Sequence, residues 1–270
     1  MIYGEGSMKY VLVTGAYGGM GKSAVKALLA KGYTVFALDR KVDAPAERVI
    51  PIQADVTDVQ SVSVAFEKVR FVTQELYAIM HFAGVYMLDS LAEMDETSFE
   101  RIFKINLFGA FLVNKIFMPL LKRGSRILIT TSELAPLDPL PFTGVYAVSK
   151  SALDKYAYSL RMELQLLGLH VSVLRAGAVD TDMIGASTDA LDRFCRSTKL
   201  YSCNAERFKK IVEGVEARRI SADKLANKAV SILEADKPKF AYSINRNPLL
   251  LLLNALPKSA QLFAIRQILK

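Results

Sequence analysis

Two side chains near the start of a helical pattern, Tyr146 and Lys150, are spaced to carry out acid–base chemistry together. They lie four residues apart, so on a helix both project from the same face. A phenol has a pKa of about 10, which is too high for proton transfer at neutral pH. A nearby ammonium favours the phenolate and lowers that pKa. The chain holds eleven tyrosines, so such a pair also arises by chance, and its placement along the chain has to decide its meaning.

The placement points to the edge of a sheet. A strand-like run at 126–131 precedes the pair, and Thr130, Thr131 and Ser132 end that run. Parallel α/β sheets bind their ligands at the carboxyl ends of the strands. The Ser132 hydroxyl is therefore a candidate partner for the phenol, although alone it is an ordinary strand-end residue.

A glycine-rich stretch opens the chain. The apolar run 10–14 is followed by Gly15, Gly18, Gly19 and Gly21, and a helical pattern covers 20–31. Glycine permits positive φ and a close approach of backbone to a phosphate. The start of a helix supplies free N–H groups and a positive dipole end. The pattern predicts a pyrophosphate site, and the alternative is a plain turn of an α/β protein.

Acidic residues end the next two predicted strands. Asp39 lies 18 residues after Gly21, where a carboxylate accepts the ribose hydroxyls of NAD and repels a 2′-phosphate. Arg40 and Lys41 follow and are able to hold such a phosphate, so NAD is favoured and NADP stays open. Asp55 is a candidate for the adenine edge, or else an acid that leads the next helix.

Strand and helix patterns alternate along the chain and predict one α/β domain, 8–270, with a doubly wound parallel sheet of seven strands between helices. Thr57 and Gln60 have capping-box spacing at the start of the second helix. The predicted strands are 10–14, 34–38, 49–53, 77–82, 126–131, 170–175 and 239–244. The predicted helices are 20–31, 57–74, 98–121, 145–167 and 221–233.

Composition bounds the class of protein. The 270 residues are 51% hydrophobic, but no apolar run reaches the ~18 residues needed to span a bilayer. The net charge is +8, but Lys and Arg are scattered, which argues against nucleic-acid binding. Two cysteines and no secretory signal predict a cytoplasmic protein. No metal site is predicted, and residues 1–7 are interpreted as a leader or expression remnant.

Two segments interrupt the alternation. The segment 183–220 is long for a connection and shows no clear strand, so we expect a substrate lid there. The tail, 247–270, begins with a leucine run and ends in Arg266 and Lys270. A leucine-rich basic helix of this kind contacts a membrane surface, or else serves as a core, dimer or substrate-access helix.

Together, these motifs resemble the short-chain dehydrogenase/reductase family over about residues 8–182. The resemblance rests on TGAYGGMG at 14–21, Asn106, Ser132, YAVSK at 146–150, and AGAVDTDM at 176–183, in the family's order. It implies a Rossmann fold and an NAD(P)-dependent oxidoreductase. The tail is loosely similar to the steroid- and retinol-type members.

The resemblance implies roles for individual residues. Tyr146 would be the general acid or base, Lys150 would lower its pKa and hold the nicotinamide ribose, and Ser132 would donate to the substrate oxygen. Asn106 would open a helix turn and hold a water in a proton relay. The positions implied for the cofactor are Gly15, Tyr17, Gly18, Gly19, Met20, Gly21, Asp39, Arg40, Asp55, Val56, Ala83, Gly84, Tyr146, Lys150, Val179 and Thr181.

The chain also departs from the family pattern. His81, Phe82, Ala83 and Gly84 stand where the family has Asn-Asn-Ala-Gly, so His81 replaces one amide or, alternatively, is catalytic. Ala176 stands where the family has proline. The first departure predicts altered hydrogen bonding at the end of the fourth predicted strand, and the second predicts a less rigid loop under the nicotinamide.

The predicted substrate is a lipophilic secondary alcohol or its carbonyl, because the expected pocket walls are apolar. These walls are Leu134, Leu137, Leu140, Pro141 and Phe142, with Met183, Ile184, Leu191, Phe194 and Phe208 from the lid. A non-catalytic dinucleotide sensor and a sugar-nucleotide epimerase are the alternatives. A homodimer or homotetramer is expected through the helices 98–121 and 145–167, although Ala110, Phe117, Ala157 and Leu160 would serve equally as core.

Overall fold

A parallel seven-stranded sheet forms the centre of the protein, with strand order β3-β2-β1-β4-β5-β6-β9. The computed structural model describes residues 8–216 and 218–270, without the side chains of 182–188, 213, 215 and 216. The strands are β1 (Tyr10–Thr14), β2 (Thr34–Asp39), β3 (Val49–Gln53), β4 (Leu76–His81), β5 (Leu121–Ser132), β6 (His170–Ala176), β7 (Val179–Asp180), β8 (Ile220–Ser221) and β9 (Ala241–Ile244). The short strands β7 and β8 pair only with each other.

Helices cover both faces of the sheet, as the alternating pattern predicts. They are α1 (Gly19–Ala30), α2 (Val59–Val72), α3 (Glu96–Phe103), α4 (Gly109–Phe117), α5 (Gly144–Leu164), α6 (Asp182–Ser197), α7 (Ser202–Glu216), α8 (Ala222–Leu233), α9 (Pro248–Ala255) and α10 (Lys258–Leu269). One core cluster joins the sheet to α2, α4 and α5, and a second joins it to α1 and α8. The doubly wound fold is therefore confirmed.

The predicted capping box at Thr57 is wrong. Helix α2 begins at Val59, and the side chain of Asp58 caps it by accepting from the N–H groups of Gln60 and Ser61. The Thr57 hydroxyl instead donates to Asp55 Oδ1 at 2.7 Å. A carboxylate is a good N-cap acceptor, so Asp58 takes the position that the sequence pattern assigned to Thr57.

The strand before Tyr146 and Lys150 is longer than predicted. β5 begins at Leu121 rather than at 126, because Leu121 already pairs with Leu76 before an irregularity in the register. The preceding helical stretch is not one regular helix, since a π-helical segment, Lys104–Phe108, separates α3 from α4. Extra residues in a helix of this kind mark functional positions.

The segment 183–220 is mainly helical. Helices α6 and α7 pack on each other, and a third core cluster gathers Phe142, Phe194, Ala205 and Phe208 beneath them. The Phe142 ring contacts the Phe194 ring at 4.6 Å and the Phe208 ring at 5.4 Å between centroids. The segment is therefore attached to the domain by aromatic packing.

Within the described part of the chain, the helical stretch Glu96–Leu120 is long and apolar enough to cross a membrane by length and composition. It spans 25 residues, and 44% of its most apolar window is buried. Core helices of globular proteins meet the same criterion, and this stretch packs against α2 and α5.

Candidate active site

The predicted catalytic side chains converge at the carboxyl end of β5. Ser132 ends this strand and is buried, and its hydroxyl lies close enough to Tyr146, in the first turn of α5, to lower the pKa of the phenol. Lys150 lies one turn further along α5, also buried, with Nζ 3.5 Å from the Thr130 carbonyl. A strand-end hydroxyl, a phenol and an ammonium therefore share one site.

The expected lowering of the tyrosine pKa is not present in this structure. Burial raises the pKa of Tyr146 to about 12, the hydrogen bond from Ser132 opposes this rise, and the Glu133 carboxylate adds to it. Lys150 Nζ lies 5.9 Å from the centre of the Tyr146 ring. Burial lowers the pKa of Lys150 to about 8. Desolvation thus outweighs the attraction of the ammonium for the phenolate.

Asn106 sits inside the π-helical segment, so the irregular helix turn expected at this residue is present. Its Oδ1 accepts from the Val85 N–H at 2.8 Å, and its Nδ2 donates to the Ser149 hydroxyl at 3.1 Å. Ser149 in turn donates to the carbonyl of Tyr146. Asn106 therefore ties the loop after β4 to the first turn of α5, and its proposed water relay stays a prediction.

The glycine turn is built as a phosphate cradle requires. Gly15 has φ +67°, and a Cβ there would lie 2.6 Å from the Ala83 nitrogen. A Cβ on Gly21 would lie 1.9 Å from the Gly15 carbonyl oxygen, and one on Gly19 would lie 2.7 Å from the Thr181 Cβ. Larger residues at these positions would collide with the backbone or with Thr181. The turn leads directly into α1, so free N–H groups face the same space.

Asp39 lies beside this turn. Its Oδ2 accepts from the Tyr17 N–H at 3.0 Å, and its Oδ1 accepts from the Arg40 N–H at 2.7 Å. The carboxylate is thus fixed next to the glycine turn at the end of β2, where a ribose is expected. The Arg40 side chain lies nearby on the exposed side.

Asp55 and Val56, which the resemblance places at the cofactor, both make contacts within the protein. Asp55 Oδ1 accepts from both the N–H and the hydroxyl of Thr57, and these bonds lower the pKa of the carboxyl although burial opposes them. Val56 is buried against Gly109, where an added Cβ would lie 2.8 Å from Val56 Cγ2. The helix-leading role of Asp55 is therefore present, and its contact with adenine stays a prediction.

The remaining cofactor candidates line the space between the glycine turn and the catalytic residues. A Cβ on Gly84 would lie 3.2 Å from both Lys150 Nζ and Asn106 Oδ1. Ala83 follows β4 next to Gly15, and Val179 and Thr181 follow β6. Besides Tyr146 and Lys150, four of the predicted cofactor residues also line the cavity in front of Tyr146 that is described below. They are Met20, Gly84, Val179 and Thr181.

His81 is a buried structural residue. Its Nε2 lies 2.8 Å from Asn114 Oδ1, and its Nδ1 lies 3.5 Å from the Thr14 hydroxyl. Burial lowers its pKa to about 4, so the ring is neutral at physiological pH. The structure therefore supports its interpretation as the replacement for an amide. At the other departure, Ala176 is a regular residue of β6, paired with Ser132 and Ile244.

A cavity of about 620 Å³ opens in front of Tyr146 and Ser132. Leu134, Leu140, Pro141 and Phe208 line it, as the sequence predicts. Leu191, Phe194 and Phe142 do not line the cavity. They are buried in the third core cluster, where their side chains pack the lid segment, 183–220, against the domain. Leu137 does not line the cavity, and the side chains of Met183 and Ile184 lie outside the described residues.

The tail supplies much of the apolar wall, which matches its alternative as a substrate-access helix. Two further contributors, Tyr86 and Glu133, were not predicted from the sequence. Tyr86 places its ring 4.8 Å from that of Tyr146, and Glu133 follows Ser132 into the cavity. The tail residues in the wall are Leu249, Leu250, Leu252, Leu253, Leu256, Ile265, Ile268 and Leu269.

The residues present fit a dinucleotide. The cradle at Gly15, Gly19 and Gly21 excludes side chains, and Asp39 stands at the end of the neighbouring strand. At the other end, the hydroxyl of Thr130 is buried in the cavity wall and has no hydrogen-bond partner among the described residues. A ligand with polar groups at both ends would match the polar side chains at the two ends of this space.

Comparison with known proteins decides the family. The sequence profile of the short chain dehydrogenase family matches residues 9–192, more than half of the chain. The protein belongs to the short-chain dehydrogenase family. This family comprises NAD(P)-dependent oxidoreductases that act on CH–OH groups, as the sequence motifs imply.

Two relatives illustrate the similarity. Estradiol 17-beta-dehydrogenase 2 from Mus musculus is 34% identical over 197 residues, which cover 68% of this chain and 51% of the mouse protein. The chain therefore matches about half the length of that relative. A probable short-chain type dehydrogenase/reductase, VdlC, from Helicobacter pylori is 27% identical and covers 89% of this chain and 90% of its own.

A solved structure shows the same fold. A short chain dehydrogenase from Burkholderia cenocepacia, in complex with NADP, has a TM-score of 0.73 at 21% identity and covers 98% of both chains. At this identity the likeness concerns the fold alone.

Proposed function

We propose that this protein is an NAD(P)-dependent oxidoreductase that interconverts a lipophilic secondary alcohol and its carbonyl compound. The observation that carries the proposal is that Tyr146, Ser132 and Lys150 together line one apolar cavity. Lys150 is buried one helical turn from the phenol, and Asn106 fastens the loop opposite. These residues lie at the carboxyl ends of parallel strands, next to the glycine turn.

In this mechanism, the chain's own residues position the substrate and manage one proton. The Ser132 and Tyr146 hydroxyls hold the substrate oxygen between them. In oxidation, the Tyr146 phenolate accepts the hydroxyl proton of the alcohol, and in reduction the phenol donates a proton to the carbonyl oxygen. The nicotinamide, when bound, accepts or supplies the hydride on the substrate carbon. Lys150 favours the phenolate and contacts the space bounded by Gly84.

The apolar wall supports a lipophilic substrate. The walls bring together leucines of α9, isoleucine and leucine side chains of α10, and Phe208 of the lid. A small charged acid would lose hydration against these apolar side chains. A larger apolar alcohol would bury its hydrocarbon surface at roughly 25 cal/mol per Å².

A panel of secondary alcohols and ketones of increasing length tests this function. We expect kcat/KM to rise with chain length and to fall when a carboxylate is added at the far end. Tight cofactor binding with no turnover across the panel would favour the non-catalytic sensor instead. Cofactor-dependent conversion of sugar nucleotides would favour the epimerase.

We propose NAD rather than NADP as the preferred cofactor. The fixed carboxylate of Asp39 suits ribose hydroxyls and repels a 2′-phosphate. Fluorescence titration should show tighter binding of NADH than of NADPH. Asp39→Ser should reduce this preference by about tenfold, or ~1.4 kcal/mol. Arg40→Ala is the matched control: if it instead changes NADPH affinity most, Arg40 determines the cofactor preference.

We propose further that the tail contacts an anionic membrane surface, from the cytoplasmic side. No acidic residue lies between 246 and 270, whereas Arg246, Lys258, Arg266 and Lys270 are basic. Leu262 is 69% exposed and Phe263 is 65% exposed on the same segment. Exposed apolar side chains surrounded by basic groups match the charge and polarity of such a surface.

Vesicle flotation tests this contact. The protein should float with vesicles that contain phosphatidylserine, and a Leu262→Gln/Phe263→Gln variant should remain in the soluble fraction. Leu200→Gln removes an equally exposed leucine, 66% exposed, from the lid and serves as the control. Equal flotation of all three proteins would contradict a role for the tail.

We also propose a homo-oligomer built on α4 and α5. Ala110, Phe117 and Ala157 belong to the core, so they leave the interface to other residues. Exposed apolar side chains nevertheless remain along these helices and on the segment between α3 and α4. They are Phe108, Phe111, Val148, Tyr158 and Met162.

A further inference from the structure

Glu133 is the residue directly after the catalytic serine, and its carboxylate reaches the C-terminal tail. Its Oε2 accepts from the Asn247 N–H at 2.6 Å, a short charge-assisted hydrogen bond. Asn247 is the N-cap of α9, and its own side chain accepts from the Leu249 N–H. No ion pair of Glu133 occurs among the described residues, so the bond to the tail is its main polar contact.

The backbone around this contact is unusually close. A Cβ on Gly177 would lie 1.9 Å from the Asn245 carbonyl oxygen and 3.1 Å from Glu133 Oε1. The Gly177 N–H donates to the Ile244 carbonyl at 3.0 Å. The ends of β5 and β6 and the start of the tail therefore meet at the Glu133 carboxylate.

A second fastening holds the other end of α9. The Asp138 N–H donates to Asn254 Oδ1 at 2.7 Å, and the Asp138 carboxylate forms an ion pair with Lys258. Thus the loop after Ser132 holds α9 at both ends.

These polar contacts carry weight because α9 is poorly buried. No residue of this helix is fully buried, although Leu250 and Leu253 line the cavity. Packing alone therefore gives α9 less stabilisation than a core helix receives, since stabilisation scales with buried apolar area. The hydrogen bond at Glu133 fixes where the cavity wall begins.

We propose that Glu133 is a positioning residue: its carboxylate docks the C-terminal tail onto the catalytic strand, and this docking forms the lipophilic wall of the substrate cavity. The inference rests on the proposed function of the site. In it, one side chain, that of Glu133, links the end of β5, where Ser132 lies, to the start of the tail. Glu133 touches neither the proton in transit nor the reacting carbon, so it acts through the position of α9.

Docking also places a negative charge near the phenol. Glu133 raises the pKa of Tyr146, and Arg246 opposes the effect of burial on the pKa of Glu133 itself. Tyr146 and Arg246 are the titratable groups for which the structure records such an effect with Glu133. Removal of the Glu133 charge should therefore favour the phenolate and move the pH midpoint of kcat in alcohol oxidation to lower pH.

Two variants separate the effect of the Glu133 side-chain length from the effect of its negative charge. Glu133→Asp keeps the charge but shortens the side chain by one methylene, so the bond to Asn247 is lost. Glu133→Gln keeps the length and one acceptor oxygen but removes the charge. Asp138→Asn is the control, because it breaks the ion pair with Lys258 at the far end of α9 and leaves the junction intact.

Limited trypsin digestion gives a readout that needs neither cofactor nor substrate. Cleavage after Arg246, directly before the docked residue, should be at least fivefold faster in Glu133→Asp than in the wild-type chain. Glu133→Gln should lie between the two, and Asp138→Asn should resemble the wild type at this bond. Equal cleavage in Glu133→Asp and the wild type would overturn the proposal.

Kinetics give the second readout. Glu133→Asp should raise KM for a long-chain secondary alcohol at least tenfold while kcat/KM for 2-propanol changes less than threefold. Glu133→Gln should change KM little but shift the pH midpoint of kcat downward. If Glu133→Asp leaves the KM for the long-chain alcohol unchanged, or Glu133→Gln leaves the pH midpoint unchanged, the inference fails. Failure of the proposed function is a separate result, since it would appear as turnover in a variant that lacks the Tyr146 hydroxyl.

Discussion

At the scale of single residues, His81 shows how one substitution in a motif changes the behaviour of the protein with pH. The ring is 4% exposed and fixed between Asn114 and Thr14, and its pKa in the folded protein is about 4 instead of 6.5. The ring therefore stays neutral in the folded protein down to a pH of about 4. In the unfolded chain, it takes up a proton once the pH falls below about 6.5.

Stability should consequently fall as the pH is lowered from about 6.5 to about 4, by up to ~3 kcal/mol from this residue. His81→Asn should flatten the dependence of the unfolding free energy on pH in that window. Urea unfolding at a series of pH values measures it. His170→Asn, at a partly exposed position, should keep most of the slope, and an unchanged slope in His81→Asn would contradict the assignment.

Lys150 illustrates the cost of function at a buried site. Its pKa is about 8 in the fold and about 10.5 in an unfolded chain, so between these values the unfolded chain holds a proton that the fold does not. Stability therefore rises with pH through that window, and at pH 7 the buried ammonium is destabilising.

Lys150→Met should raise the unfolding free energy at pH 7 by about 1–3 kcal/mol and abolish turnover. Chemical unfolding without cofactor measures the first effect, and a standard assay measures the second. A less stable variant would show that the lysine, despite its burial, stabilises the folded protein.

The sequence predicted the residues whose roles depend on local spacing, and it missed those that meet through space. Tyr146 and Lys150 share a helix face, and the glycines precede a helix start, so short-range geometry suffices for both. Tyr86 lies at the site because the loop after β4 packs against α5, and the contact of Glu133 with Asn247 exists only because the distant tail packs onto the end of β5. The pKa of Tyr146 was mispredicted for a similar reason, since spacing shows the nearby charge but not the burial.

At the scale of elements, the seven strands and their alternation with helices could be predicted from the sequence. The residues at which individual helices begin and end could not. The capping box predicted at Thr57 was wrong because Asp58, one residue later, accepts two helix N–H groups. The π-helical segment at Asn106 leaves no clear trace in hydrophobic periodicity. Helix ends depend on single hydrogen bonds, whereas the alternation depends on many apolar residues.

The Asp58 cap gives a prediction at this scale. Asp58→Ala should lower the unfolding free energy by ~1 kcal/mol, because two N–H groups of α2 lose their acceptor. Asp58→Asn keeps an acceptor and should cost much less. Urea unfolding compares them, and kcat/KM should stay unchanged in both. A loss of similar size in both variants would argue that the charge, rather than the cap, matters.

At the scale of the whole molecule, the exposed apolar side chains mark where the protein meets something else. The Phe108 and Phe111 rings are tilted against each other with centroids 5.8 Å apart, and Tyr156 of α5 contacts Phe111 edge-on. A groove among these rings is almost wholly apolar. Such a patch would be buried in the homo-oligomer interface proposed above.

Phe111→Glu should convert the oligomer into a monomer, because it places a charge in the centre of this patch. Light scattering coupled to size exclusion measures the mass. Phe71→Glu changes a phenylalanine that is 94% exposed on α2 and should leave the mass unchanged. A wild-type chain that is already monomeric at micromolar concentration would contradict the proposed oligomer.

The central claim is that the Tyr146 hydroxyl transfers the proton while the other residues only position the reactants. One measurement tests it most directly: turnover of an identified alcohol by Tyr146→Phe, with cofactor affinity measured on the same preparation. The account predicts a loss of at least ~10³-fold in kcat with cofactor affinity within about threefold of wild type. A variant that binds cofactor and turns over at the wild-type rate would contradict the account.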